Sequence, residues 1–424
     1  MQVSYNLKYR KSNFSNRVLI EKEGEIIIYD KGFRLKGKGA TDKGELINFY
    51  DIKEFYYKDD QLFFITFGKE KYTLDGLGTL FDEFLATIYR ARNDFLVDAL
   101  FLKQGSLKAE FEGYFDRYSK FNKPINKGRC KIRLYERSMV IIPDNQDVFS
   151  VNFNFINFYE FDEDEYLLKV VMDDGLNIFI SQFGNDYELF EEKITDLIGG
   201  MYERFVNEDL KEVFCEFDSG TLLKLAYKMK GGKAVSMKDI QKMDKELAAK
   251  VHEAFFDDGV LADKFSLFDD DTDEYSRYFG IARDPITKDG FIRWIMYAIP
   301  DYNVVAFSIL PRMIDVDSGA DAATDVQKPH DTYFFKIIME KGVPSEKVDD
   351  KVLEIDQTLV NLQFVKDPCF KDKRELKNSP YKYSIRKLPF LRILRKSFAG
   401  KAHATDPKVW KKQAKEIMDK AKIN

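Results

Sequence analysis

The stretch from Asp51 to Phe101 constrains this chain more than any other, because its order of features occurs twice. It begins Asp-Ile-Lys-Glu-Phe-Tyr-Tyr, passes the Lys58-Asp59-Asp60 turn, and continues as Gln61-Leu-Phe-Phe-Ile-Thr-Phe67. The stop Gly76-Leu77-Gly78 follows, and then a helical stripe of Phe81, Phe84, Leu85, Ile88, Phe95 and Leu96 at close to the 3.6-residue period. About a hundred residues later Ile156-Asn157-Phe158-Tyr159-Glu160-Phe161 stands where Ile52–Tyr57 stood. Asp162–Glu165 replaces the Lys58-Asp59-Asp60 turn, and Gln182-Phe183-Gly184 replaces the glycine stop. A helix over about 186–213 closes the second series, with Gly199-Gly200 as a weak point inside it. A lone helix of this kind does not hold its fold in water, so each stripe must cap the sheet made before it. Matching order with matching punctuation is the signature of a tandem repeat.

The first series opens with short strands over 17–38, then strands at about 45–57, 61–67 and 70–74. Its loop Gly37–Gly44 is rich in glycine and lysine but lacks the order of a phosphate-binding loop, and reads as a hairpin connection. The second series has strands at 107–118, 129–135, 138–142, 148–160, 166–172 and 176–181. The pattern then changes. A short helix around Leu222–Ala226 breaks at Gly231-Gly232, and a helix from Ser236 to Phe256 has Ser236 at its N-cap. Strands resume at 275–283, 290–299, 302–310 and 331–339, followed by a helix from Pro344 to about 365. That is a divergent third appearance of strands closed by a helix. The acidic run 268–274 lacks the glycine and the final glutamate of a calcium loop, and Asp315–Gln327 reads as an inserted loop.

At 424 residues the chain exceeds one core. The expected organisation is 1–104 and 105–217 as two repeated domains, 218–264 as a helical connector, 265–370 as the divergent third domain, and 371–424 as a basic helical tail. The fold class is α+β: repeated bent antiparallel sheets or barrels, each capped by a C-terminal helix. The net charge of -5 hides a segregation, since 371–424 hold 17 Lys/Arg against 5 Asp/Glu. The three cysteines are widely spaced and only three histidines occur, which argues against a disulfide framework or a zinc site and fits a reducing cytoplasm. The N-terminus has no apolar signal segment, and no run of apolar residues is long enough to cross a bilayer.

The repeated unit resembles the pleckstrin-homology-like superfamily, in particular small bacterial PH-like and GRAM-like domains. The residues that carry the resemblance are Phe49–Phe55, Leu62–Ile65 and Leu77-Gly78 before the Phe81–Leu96 helix, with Phe155–Tyr159, Leu167–Val171 and Phe183-Gly184 in the second copy. It covers residues 17–213, about half the chain. The resemblance implies a strongly bent sheet of about seven strands closed by a C-terminal helix. Tandem domains of this kind also occur in eukaryotic histone chaperones, although the remainder of this chain shares nothing with those proteins. Lipid-binding members cluster Lys and Arg between their first two strands. Here that turn, Glu21–Glu25, is acidic, and the second copy offers only Lys127, Arg129, Lys131 and Arg133, so the headgroup site does not transfer.

Catalysis finds little support. His330 and Asp331 are neighbours on one strand and point to opposite faces, and His252 and His403 stand apart from them. The expectation is a non-enzymatic adaptor without cofactor or metal that binds a protein partner through its repeats. A second reading attaches the tail to an anionic membrane through Arg386, Lys387, Phe390, Leu391, Arg392, Leu394, Arg395, Lys396 and Phe398 together with Trp410, Lys411 and Lys412. That reading places the protein in the cytoplasm, peripheral to the inner face of the membrane. Against it stands docking of the tail on the acidic body of its own chain. A third reading gives Lys408, Lys411, Lys412, Lys415 and Trp410 to nucleic acid, which the acidic body disfavours.

Overall fold

Alternation of apolar and polar residues begins almost at the first residue. Tyr5, Leu7 and Tyr9 are buried while Ser4, Asn6, Lys8 and Arg10 are exposed, which makes Val3–Ser12 the strand β1. In a computed structural model of the chain, which describes residues 3–39, 42–256, 259–268, 277–283, 291–310, 331–337, 348–362 and 381–423, this strand is the centre of the first sheet. The first sheet therefore starts one strand earlier than the expected beginning at residue 17.

The first sheet comprises β1, β2 (Val18–Tyr29), β3 (Gly32–Gly37), β4 (Glu45–Asn48), β5 (Ile52–Lys58), β6 (Gln61–Thr66) and β7 (Lys71–Asp75). Its order is β4-β3-β2-β1-β7-β6-β5, so β1 joins two antiparallel runs by pairing with both β2 and β7. Helix α1 (Phe81–Ala99) follows and buries Phe81, Phe84, Leu85 and Ile88 against the inner face, where Ile26, Phe33, Leu35, Leu62, Phe64 and Leu74 form the core.

The second sheet comprises β8 (Leu107–Tyr118), β9 (Pro124–Tyr135), β10 (Ser138–Pro143), β11 (Phe149–Asn152), β12 (Ile156–Asp162), β13 (Leu167–Met172) and β14 (Asn177–Ser181). Its order, β11-β10-β9-β8-β14-β13-β12, repeats the first strand for strand. The irregularities repeat too. Each edge strand slips register after its first isoleucine, between Ile52 and Glu54 and between Ile156 and Phe158. Each first hairpin turns through an asparagine in the left-handed region, Asn16 and Asn122. Helix α2 (Tyr187–Arg204) closes the second sheet with Phe190 edge-on to Phe111 at 5.2 Å. It runs unbroken through Gly199-Gly200, and the departure from α geometry comes later, as a π-helical turn at Phe205–Leu210. Two bent seven-stranded antiparallel sheets, each followed by one helix, give the α+β architecture that the repeat implied.

The chain divides into two compact units, Met1–Leu197 with Asp372–Leu388, and Ile198–Lys371 with Pro389–Asn424. Both seven-stranded sheets belong to the first. In the second, α3 (Ser219–Lys228) is capped by Asp218, whose side chain accepts from the backbone N–H groups of Gly220 and Thr221. Ser236 caps α4 (Met237–Met243) as expected, accepting from Asp239 N at 3.2 Å. The single helix expected over 236–256 is two helices, because Asp244 adopts an extended conformation and accepts from Leu247 N at 3.0 Å, starting α5 (Lys245–Phe256). Helix α6 (Gly259–Phe265) follows.

The sheet of the second unit contains β15 (Val235–Ser236), β16 (Arg277–Arg283), β17 (Phe291–Ile299), β18 (Val304–Ile309), β19 (Thr332–Lys336) and β20 (Phe398–Ala402), hydrogen-bonded in sequential order among the described residues. Its two outer strands come from outside residues 265–370, and its meander order differs from that of the seven-stranded sheets. Helix α7 (Val348–Asn361) and, in the C-terminal segment, α8 (Tyr381–Lys387), α9 (Pro389–Ser397) and α10 (Pro407–Ile423) complete the described elements. Phe398, expected on the apolar side of a helix, is the first residue of β20. Most of the acidic run 268–274, all of Asp315–Gln327, and His330 lie outside the described residues.

Candidate functional site

The residues that join the two seven-stranded sheets start from an anomaly on α1. Its apolar stripe needs a hydrophobic residue one turn after Ile88, and the chain supplies Arg92. Its side chain is fully buried. Nε donates to Asp147 Oδ1 at 2.7 Å and Nη2 to Asp147 Oδ2 at 2.9 Å, a bidentate fork onto the β10–β11 loop of the second sheet. The Phe55 ring lies 4.8 Å from the guanidinium carbon, and Nη2 also donates to the Tyr383 hydroxyl at 3.4 Å. Burial opposes the charge on Arg92, but Asp147 and Tyr383 outweigh it and hold the group above its ordinary value.

The next residue completes the clamp. Asn93 Nδ2 donates to the carbonyls of Pro143 at 3.1 Å and Gln146 at 2.9 Å, and its Oδ1 accepts from Val148 N at 3.0 Å. Asn145 Nδ2 adds a bond to the Tyr57 hydroxyl at 2.8 Å. Below these polar contacts Leu96, Val97 and Leu102 pack with Tyr135, Val140, Val148 and Tyr383. Helix α8 seats itself in the same junction, where Ser384 Oγ donates to the Ala99 carbonyl at 2.6 Å and Arg386 lies over the Phe67 ring at 4.3 Å. Lys387 Nζ reaches the Lys53 carbonyl, and burial followed by repulsion from Arg92 lowers its affinity for a proton.

A different face of α1 borders a cleft of about 700 Å³. Ala86, Arg90 and Asp94 form the helical wall. Glu112, Gly113, Arg129, Cys130, Lys131 and Arg133 line the wall of the second sheet, with Ile142, Pro143, Asp144 and Gln182 beside them. Glu110 takes Lys131 at 3.0 Å and Arg133 at 2.7 Å, while Arg133 also reaches Asp94 across to α1 at 3.7 Å. Burial raises the Cys130 thiol to about 12, so it is not a nucleophile at neutral pH. Among the described residues no group of three or more His, Cys, Asp or Glu side chains could hold a metal.

The C-terminal residues singled out from sequence are divided between the units. Arg386 and Lys387 belong to the first. In the second, Leu391, Leu394 and Trp410 are core residues, and Phe390 and Phe398 are half-buried. Trp410 packs against Phe265 at 5.5 Å and Phe268 at 5.9 Å. Lys411 pairs with Asp263 at 2.9 Å, Arg395 is half-buried, and Arg392, Lys396 and Lys412 are exposed. His403 and Lys401 of the tail pair with Asp331 on the strand edge. The apolar side of this tail therefore faces its own unit. Sequence reading missed Arg92, Asn93 and Asp147. The signal available for the first was a charged residue where the stripe required an apolar one.

No family model and no curated protein matches the chain. Among solved structures, a chain from the structure of the Spt16D Pob3N heterodimer is similar over 43% of this chain and 98% of its own length, at 13% identity and a TM-score of 0.17.

Proposed function

We propose that the protein is a non-enzymatic adaptor that binds a protein partner through its tandem seven-stranded domains. The observation that supports this reading is the junction itself. A fully buried arginine, an asparagine with all three of its bonds made across the interface, and a packed apolar cluster fix two repeats in one arrangement. Such an arrangement presents a composite surface that neither repeat has alone, and clefts at domain junctions are common binding sites. Open sheet edges offer a second mode, strand addition, and Phe158 on the edge strand β12 is exposed. In this reading the tail completes the second unit instead of contacting a membrane, since Leu391, Leu394 and Trp410 are committed to its core. Affinity capture with the full chain from native lysate tests it. A stoichiometric, salt-resistant partner is expected, whereas reproducible turnover of a small molecule without any partner would overturn it.

A further inference from the structure

The two walls of the junction cleft are not electrostatically complete. Lys131 and Arg133 have Glu110, and Arg133 also has Asp94. Arg90 on the helical wall and Arg129 on the sheet wall are exposed, and neither guanidinium has a hydrogen bond or ion pair with another described residue. Each is a planar fork of N–H donors suited to a carboxylate. The same walls carry the exposed carboxylates Glu112 and Asp144 and the amide of Gln182, which accept N–H groups and repel a dense polyanion. A volume of about 700 Å³ lies within the range of ligand sites. The pinning of Pro143 by Asn93, beside Asp144, fixes one wall against the other.

Resting on the adaptor reading, we propose that this cleft binds an extended polypeptide segment with one central acidic side chain. Arg90 and Arg129 take its carboxylate from opposite walls, and Glu112, Asp144 and Gln182 take N–H donors of the same segment. Mixed charge on the walls selects a mixed-charge peptide over a phosphate-rich ligand.

The test uses the full chain and two immobilised mixtures of degenerate nonapeptides, one with a fixed central Glu and one with a fixed central Gln. The expected result is at least tenfold stronger retention on the Glu mixture. That preference should be lost in Arg90→Gln/Arg129→Gln and kept in Arg17→Gln, which changes an exposed arginine outside the cleft. Each single cleft variant is expected to lose at least threefold, which keeps the result readable if the pair folds poorly. Equal retention on both mixtures, no retention on either, or a preference unchanged in the double variant overturns the proposal. Tight binding of inorganic pyrophosphate without preference for Glu peptides overturns it in favour of a phosphate ligand. A lysate partner captured equally by wild type and double variant removes the cleft and leaves the adaptor reading; no partner for either removes that reading itself.

Discussion

Arg92 and Asp147 meet in a two-bond fork at 2.7 and 2.9 Å, and the arginine side chain is wholly buried while the aspartate remains 42% exposed. The asymmetry decides how each loss acts. Removing the aspartate strands a charge with no access to water, while removing the arginine leaves a carboxylate that water can reach. Breaking a buried pair costs about 3–5 kcal/mol. Asp147→Ala is expected to fall within that range, because Arg92 stays wholly buried and keeps only the Tyr383 hydroxyl and the Phe55 ring beside its charge. Arg92→Ala should cost a similar amount, through the cavity it opens under Phe55 and Tyr383. Urea denaturation midpoints, followed by an N-terminal-unit probe, check both. Unchanged midpoints would remove the pair as the junction's anchor.

Asn93→Ala leaves two carbonyls and one N–H without their partner at a single stroke. An unsatisfied buried polar group costs about 1–3 kcal/mol. A loss of at least ~2 kcal/mol is expected, with faster hydrogen exchange at Val148 N as the local reading.

Asp356 gives the second unit a pH dependence. Its carboxylate is wholly buried, accepts from Trp294 Nε1 and from Ala234 N at 2.8 Å each, and is raised by burial to about 6 despite those bonds. A folded-state value above the unfolded one means that the native protein binds the extra proton. Its contribution is therefore full below about pH 4 and is lost as pH rises through about 6. The size is roughly 3 kcal/mol at most, from ~1.4 kcal/mol per unit. Asp356→Asn should flatten the stability profile between pH 4 and 7, read by thermal unfolding in a buffer series. An unchanged slope would show that another group sets it.

Gly280 lies opposite Trp294 in the β16–β17 ladder, and a methyl group there would come within 2.1 Å of the indole. Gly280→Ala is expected to cost about 1–3 kcal/mol or more through overpacking. It should red-shift the tryptophan emission as the ring moves, and a neutral effect would mean that the ring yields freely.

Trp410 tests whether the C-terminal segment is structural. Its ring is fully buried among Phe265, Phe268 and Phe334. Trp410→Ala should cost about 3–5 kcal/mol, and deletion from residue 398 onward, which removes β20 and α10, should unfold the second unit. A truncated chain that retained the melting profile of the full one would contradict this.

Much of the repeat was legible in sequence because its cues are local. Period-two alternation, the glycine stop and the 3.6-residue stripe are each properties of a few adjacent residues. The strand Val3–Ser12 carries the same local cue, in the alternation of Tyr5, Leu7 and Tyr9 with polar residues. The candidate cleft was not legible, since Arg90 and Arg129 become neighbours of one space only when α1 of the first repeat meets β9 of the second. The tail shows the same limit. Composition marked 371–424 as basic and amphipathic, but an apolar face does not name its partner, and hydrophobic burial is non-directional. Tertiary structure alone decided that Tyr383 joins the core of the first unit while Leu391, Trp410 and the strand Phe398–Ala402 complete the second. The sequence by itself determined the repeated unit and its α+β character, because those follow from short-range periodicity. Which charges stay unpaired, and which apolar faces find each other, depend on distances between residues far apart in the chain, and only the folded protein sets those.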